Sequence, residues 1–141
     1  MFKLATILVL ITAVPVTPAA EARSATVSVQ VTDIASAKGQ LMISLCDQTT
    51  FGKGRCQFNA KVPARRGSIV VRFANVPNGR WAAAVYHDEN GNGALDRNGL
   101  GIPTEGGGFS RDARGKYGWP TFADAAMAVG GGSVIPVSLN Y

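Results

Sequence analysis

The sequence predicts an all-β fold, six or seven short strands packed as two sheets, with one long glycine-rich loop region and at most a short helical segment. Three observations carry that expectation. Apolar residues recur with a period of two along nearly every regular stretch, turn residues punctuate those stretches, and helical spacing is confined to one brief segment. An apolar strand face needs a second layer to cover it, so two sheets are expected rather than one.

Thr26-Val27-Ser28-Val29-Gln30-Val31-Thr32 alternates small or polar residues with valines and predicts the first strand. After Lys38-Gly39, the run Gln40 to Cys46 predicts the second, with Leu41, Ile43 and Leu45 on one face and Cys46 on the other. A third covers Gln57 to Val62 and stops at Pro63. The basic turn Ala64-Arg65-Arg66-Gly67 leads into Ser68 to Phe73, where Ile69, Val71 and Phe73 share a face. Asn75 to Arg80 holds Pro77, Asn78 and Gly79, residues suited to a tight reversal. The next strand, Arg80 to Tyr86, delivers the chain into the loop region 87–120. In Pro120 to Val129 the spacing of Phe122, Ala126 and Val129 permits up to two turns of helix closed by Gly130-Gly131-Gly132; a further strand around Ala126 and Ala128 is the alternative. Ser133 to Tyr141 predicts a closing strand, and Pro136, which cannot donate to a ladder, requires an edge or a bulge there.

At the N-terminus, Lys3 precedes an apolar run from Leu4 to Val16, then small residues and prolines lead to Ala20-Glu21-Ala22. This pattern predicts a signal peptide over 1–22, cut after Ala22, and a periplasmic or secreted product. Residues 23–141 then suffice for a single β-sandwich domain with a modest core. No later segment approaches spanning length, so no integral membrane segment is expected after cleavage. The chain carries a net charge of +5. Its basic residues are dispersed, with Arg65-Arg66 the only dense pair, which argues against a nucleic-acid partner and leaves an unknown envelope or extracellular ligand. Cys46 and Cys56 enclose a short turn-rich stretch, and in an oxidising compartment they are expected to form a disulfide. They lack the Cys-x-x-Cys spacing of a redox site, and with one distant His they fall short of a zinc site.

The chemistry-bearing residues lie between Tyr86 and Pro120. Asp88, Asn90, Asn92 and Asp96 take the first, third, fifth and ninth places of a calcium-type loop. Gly93 stands at the sharp turn and Ala94 offers a carbonyl, whereas the twelfth place is Gly99 rather than a bidentate Glu. Calcium binding and a self-tied Asx/Gly turn are therefore both open readings. His87, the sole histidine, would serve a small hydrolase or a carbohydrate-active protein only with a hydroxyl such as Ser110 and carboxylates such as Asp88, Glu89, Asp96, Glu105 or Asp112 beside it; the alternative is a strand-end His bonded to backbone. Tyr86, Phe109, Tyr117 and Trp119 either line a carbohydrate groove or pack across the loop in place of a missing core. The glycines from Gly99 to Gly108 lack the order of a phosphate loop.

Tyr86-His87-Asp88-Glu89-Asn90-Gly91-Asn92-Gly93, Leu95-Asp96, Leu100-Gly101-Ile102-Pro103-Thr104-Glu105-Gly106, Gly108-Phe109-Ser110 and Gly118-Trp119-Pro120-Thr121-Phe122 with Ala125 occur in that order. The arrangement resembles the domain of unknown function 2141 family of exported bacterial proteins. The resemblance covers nearly all of residues 23–141 and implies an immunoglobulin-like or transthyretin-like sandwich, with no activity to carry over. It implies that His87, Asp88, Asn90, Asn92, Asp96, Glu105, Phe109, Ser110 and Pro120 belong to one characteristic loop surface. The leading expectation is a non-enzymatic envelope or secreted module. Its candidate binding or assembly surface is loop 87–120, represented by His87, Glu105, Phe109, Ser110, Tyr117 and Trp119.

Overall fold

Alternation of buried and exposed residues organises the first strand, β1 (Ser24–Ile34), in which Val27, Val29 and Val31 are fully buried. The computed structural model describes residues 13–15, 23–116 and 118–141; most of the predicted signal peptide 1–22 and the site residue Tyr117 lie outside the described residues. After β1 come β2 (Gln40–Cys46), β3 (Phe58–Pro63), β4 (Gly67–Pro77) and β5 (Gly79–Asp88). Then follow β6 (Gly107–Phe109), a one-turn helix α1 (Phe122–Ala125), β7 (Met127–Val129) and β8 (Val134–Ser138).

These strands make two sheets, stacked as in a sandwich. One has three strands in the order β4-β1-β8, the other five, in the order β3-β2-β5-β6 with β7 also on β5. β1 is antiparallel to β4 and parallel to β8, while β5 is antiparallel to β2, β6 and β7. The core lies between the sheets: Val27, Val29, Val31, Ile135 and Val137 from one face Leu41, Ile43, Leu45, Ala83 and Val85 from the other. Each fully buried valine or leucine here contributes roughly 1.5–3 kcal/mol of burial free energy.

Short connections make successive strands run up and down between two poles. β1 ends, β2 begins, β3 ends, β4 begins and β5 ends at the first pole; β4 ends and β5 begins at the second, with the loop 47–57 that follows β2. Gly39 turns the β1–β2 connection at φ +65°, and a Cβ there would lie 1.9 Å from the Asp88 carbonyl oxygen, so the turn presses directly on the end of β5.

The segment 120–129 divides where the sequence left two readings. Thr121 caps a single helical turn by accepting the Asp124 N–H, after which Met127–Val129 runs as a strand opposite Gly79–Trp81. The predicted closing strand is confined to Val134–Ser138, and Pro136 sits on the edge strand β8 as the missing N–H requires. The predicted loop region also contains a strand, β6, that its glycines concealed.

Candidate functional site

The loop region 87–120 separates into two structures. The first is an arm at the first pole, running from Asp88 out to Leu100 and back to Gly106. Its base is tied by the His87 N–H to the Gly106 carbonyl (2.7 Å), and its limbs by Thr104 N–H to Asp96 (2.9 Å) and Asn98 N–H to Ile102 (2.9 Å). Glu105, 8% exposed, accepts the N–H groups of Glu89 at 3.0 Å and Asp96 at 3.1 Å with its two carboxylate oxygens. It is a buried clamp joining the two limbs rather than a surface ligand group. At the tip, the Asn98 side chain accepts the Leu100 and Ile102 N–H groups, fixing Leu100 (84% exposed) and Ile102 (55% exposed) in solvent.

The candidate calcium residues do converge. Asp88 accepts the N–H groups of Asn92 (3.1 Å) and Gly93 (2.8 Å) and the Gln40 side-chain amide (2.8 Å). Gln40 first, then the Gly93 and Asn92 N–H groups, hold its carboxyl below the ordinary aspartate range against the opposing effect of burial. Asn90 and Asn92 point their amide nitrogens at Asp96, and Asn92 accepts the Ala94 N–H. The loop is thus closed by its own donors as an Asx/Gly turn. Among the described residues, no three His, Cys, Asp or Glu side chains gather as a metal-ligand set.

His87 points inward and is fully buried. Its Nε2 lies 2.7 Å from the Lys38 carbonyl, which can only accept, so Nε2 carries the proton. Nδ1, 2.7 Å from the Tyr141 hydroxyl, accepts its proton, and the same oxygen accepts the Ala35 N–H at 3.0 Å. Both nitrogens are committed, leaving none for a substrate or metal. Ser110 is equally committed: it accepts the Ala83 N–H (2.9 Å) and donates to the Ala125 carbonyl (2.6 Å). It ties the end of β6 to the start of the β7 region. The hydrolase reading finds no support at these two residues, whose polar atoms are engaged by other partners and which share no hydrogen bond.

The second structure is a sheath, residues 109–116 and 118–126, laid over the outer face of the five-stranded sheet. Outward-facing Cys46 and Ala82 sit beneath Phe51 and Ala125, with Cys56, Phe109, Ala113 and Phe122 around them. Cys46 and Cys56 are joined as a disulfide, which brings Phe51 into this second core. Phe51 meets Phe109, Trp119 and Phe122 edge to face at centroid separations of 6.0, 5.4 and 5.9 Å, and Phe109 meets Trp119 at 4.9 Å. The aromatics therefore pack across the loop, yet Trp119 remains 46% exposed.

Beside them a cleft of 280 Å³ opens between the sheath and the end of β8. Gly107, Gly108 and Gly118 contribute backbone, Phe109 an apolar wall, and Asp112, Arg114, Ser138 and Asn140 polar groups. Arg114 donates to Asn140 at 2.9 Å, which orients its guanidinium across the rim. Gly108 is needed for packing rather than for φ, since a Cβ there would lie 2.2 Å from the Ser138 carbonyl oxygen. Arg111 and Asp112 stand consecutively at φ 60° and 49°, a left-handed pair of non-glycine residues that costs free energy and turns Asp112 to the cleft. Arg114, Ser138 and Asn140 escaped the sequence reading because they meet only through the return of β8 beside β6.

No curated protein and no solved structure matches the chain. A family model does match, over residues 29–135, and its description is "Uncharacterized protein conserved in bacteria (DUF2141)". The matched span takes in both the arm and the sheath, and the chain belongs to the DUF2141 family.

Proposed function

We propose that this chain is a non-enzymatic binding module, exported by a signal peptide over 1–22 to the periplasm or the medium, where residues 23–141 fold as a single domain. The disulfide supports an oxidising compartment. The three- and five-stranded sheets enclosing one core support an immunoglobulin-like or transthyretin-like arrangement.

The ligand surface is the cleft beside Trp119, and its ligand is a saccharide. The observation that carries this is a half-exposed indole, held edge to face by Phe51 and Phe109, next to a cleft whose rim offers both donors and acceptors. A pyranose presents a C–H face that packs on an aromatic ring and hydroxyls that need such mixed partners. The cleft size suits one or two rings. Catalysis is disfavoured because His87, Ser110 and Glu105 are each consumed by structural hydrogen bonds, and among the described residues no buried side-chain nitrogen or oxygen lacks a partner. The test is intrinsic fluorescence during titration with a panel of neutral and acidic oligosaccharides. Trp81 is buried and bonded to the Pro77 carbonyl, so a response reports Trp119. A response in the parent, with loss of binding heat in calorimetry of Trp119→Ala, which lacks the fluorescent reporter, is the expected result; a panel without response removes the saccharide, and a response unchanged in Asn140→Ala and Arg114→Ala removes the cleft.

Calcium stabilisation of the arm is a second reading, favoured by the convergence of Asn90 and Asn92 on the Asp96 carboxylate. Turning those two amides would set their oxygens beside Asp96, with the Ala94 carbonyl and Asp88 nearby, an arrangement that a hard cation would select. It requires a rise in melting temperature at millimolar calcium that Asp96→Asn abolishes, and an unchanged melt excludes it.

A further inference from the structure

Four Asn-Gly pairs occur in the chain, Asn78-Gly79, Asn90-Gly91, Asn92-Gly93 and Asn98-Gly99, and the last three lie on the arm. A glycine after asparagine has no side chain to shield its peptide nitrogen, which can then attack the asparagine side-chain carbon. Both residues of every pair are exposed, so exposure does not rank the pairs. Their hydrogen bonds do.

At Asn90 and Asn92 the reacting atoms are occupied. The Gly93 N–H donates to the Asp88 carboxylate at 2.8 Å, and the Gly91 N–H is bonded to the same carboxylate. The nitrogens that would attack are thus held as donors beside a negative charge, which opposes loss of their protons. The side-chain nitrogens that would have to leave both donate to Asp96, that of Asn92 at 2.9 and 3.0 Å. Asn78-Gly79 is restrained in another way: Gly79 opens β5 opposite Val129, and the ladder resists the rotation of its peptide plane that ring closure needs.

Asn98 differs at each atom. Among the described residues neither its side-chain nitrogen nor the Gly99 N–H has a hydrogen-bond partner, so leaving group and nucleophile are both free. Its side-chain oxygen accepts two backbone N–H groups, from Leu100 at 2.9 Å and Ile102 at 3.1 Å. These donors draw electrons from the side-chain carbon and face the oxygen on which negative charge develops as the ring closes, as in an oxyanion hole. The turn they make folds the side chain back along the Gly99 peptide.

We propose that Asn98 is a site of self-modification, at which the Gly99 nitrogen closes on the Asn98 side-chain carbon and water then converts the residue to aspartate and isoaspartate. In the first step the Gly99 nitrogen gives its proton to solvent base and bonds to the side-chain carbon, while the bond to the side-chain nitrogen breaks and ammonia leaves. In the second, water opens the cyclic imide. Attack at the side-chain carbonyl restores the main chain and leaves aspartate; attack at the main-chain carbonyl leaves the chain running through the side-chain carbon. One water is consumed and one ammonia released, with no change of oxidation state. Either product adds a negative charge to the tip, and isoaspartate also displaces the oxygen that the Leu100 and Ile102 N–H groups share.

The test is incubation of the folded full chain in heavy-oxygen water at neutral and mildly alkaline pH, followed by tryptic digestion in ordinary water and mass spectrometry. Cleavage after Arg72, Arg80, Arg97 and Arg111 places Asn78, the Asn90 and Asn92 pair, and Asn98 on separate peptides, and Asn98 is the one side-chain amide in residues 98–111. The label separates conversion in the folded protein from conversion during digestion. Peptide 98–111 is expected to gain labelled acid roughly tenfold or more faster than peptides 73–80 and 81–97, at a rate that rises with pH as base removes the Gly99 proton. In urea, with the turn gone, the three peptides should convert at similar rates. Conversion at Asn98 no faster than at Asn90 and Asn92 in the folded chain, or the same advantage retained in urea, overturns the proposal.

Discussion

A histidine beside an Asp-Glu-Asn run invites a catalytic assignment, and geometry determines otherwise. The Lys38 carbonyl and the Tyr141 hydroxyl hold His87 with a proton on Nε2 inside the first pole, where it joins the β1–β2 connection, the end of β5 and Tyr141. Tyr141→Phe removes the donor to Nδ1 and leaves a buried acceptor unpaired, so it should lower the unfolding free energy by about 1 to 3 kcal/mol in urea denaturation. An unchanged midpoint would show that water replaces the hydroxyl and that the pair is ornamental. The sequence alone offered a strand-end His bonded to neighbouring backbone, which captures the Lys38 contact in kind. Tyr141 was beyond its reach, because 54 residues separate the two partners and no local pattern records such a meeting.

Among the elements, β6 and the disulfide loop show how the outer face of the five-stranded sheet is covered. Gly107-Gly108-Phe109 has poor strand propensity and no readable alternation, yet Phe109 and Gly108 pair with Ala84 and Val85 because β8 passes so close that Gly108 has no room for a side chain. The disulfide, by contrast, was readable from spacing and expected compartment. Its tertiary consequence was not: it holds Phe51 at the centre of the aromatic cluster beneath Trp119. Replacing both cysteines with Ala should destabilise the protein by about 2 to 3 kcal/mol, mainly by freeing the unfolded chain. It should also make Trp119 more accessible to acrylamide quenching, while a quenching curve identical to that of the parent would disconnect the loop from the cluster.

For the molecule as a whole, the two carboxylates that tie loops to the sheets predict its response to acid. Thr49 foremost, with Thr50 and Gln57, holds Asp47 below its ordinary range, as Gln40 and the loop N–H groups hold Asp88. A carboxyl depressed in the folded state contributes stability that is present above its unfolded value and is lost as pH falls through the folded one. Unfolding free energy should therefore be level with respect to these groups above about pH 5 and fall below about pH 4. Asp88→Asn should be less stable than the parent at neutral pH and show a shallower acid decline; parallel curves for the two proteins would contradict that role. The sequence by itself determined the mostly-β composition, the faces of β1, β2 and β4 and the cysteine pair, since period-two burial and turn chemistry act over a few neighbouring residues. Only the tertiary structure decided that the loop divides into arm and sheath, that His87, Glu105 and Ser110 serve the fold, and that Arg114, Ser138 and Asn140 share a cleft. Those outcomes depend on which distant strand arrives alongside, and hydrogen bonds between residues far apart in the chain leave no period in it.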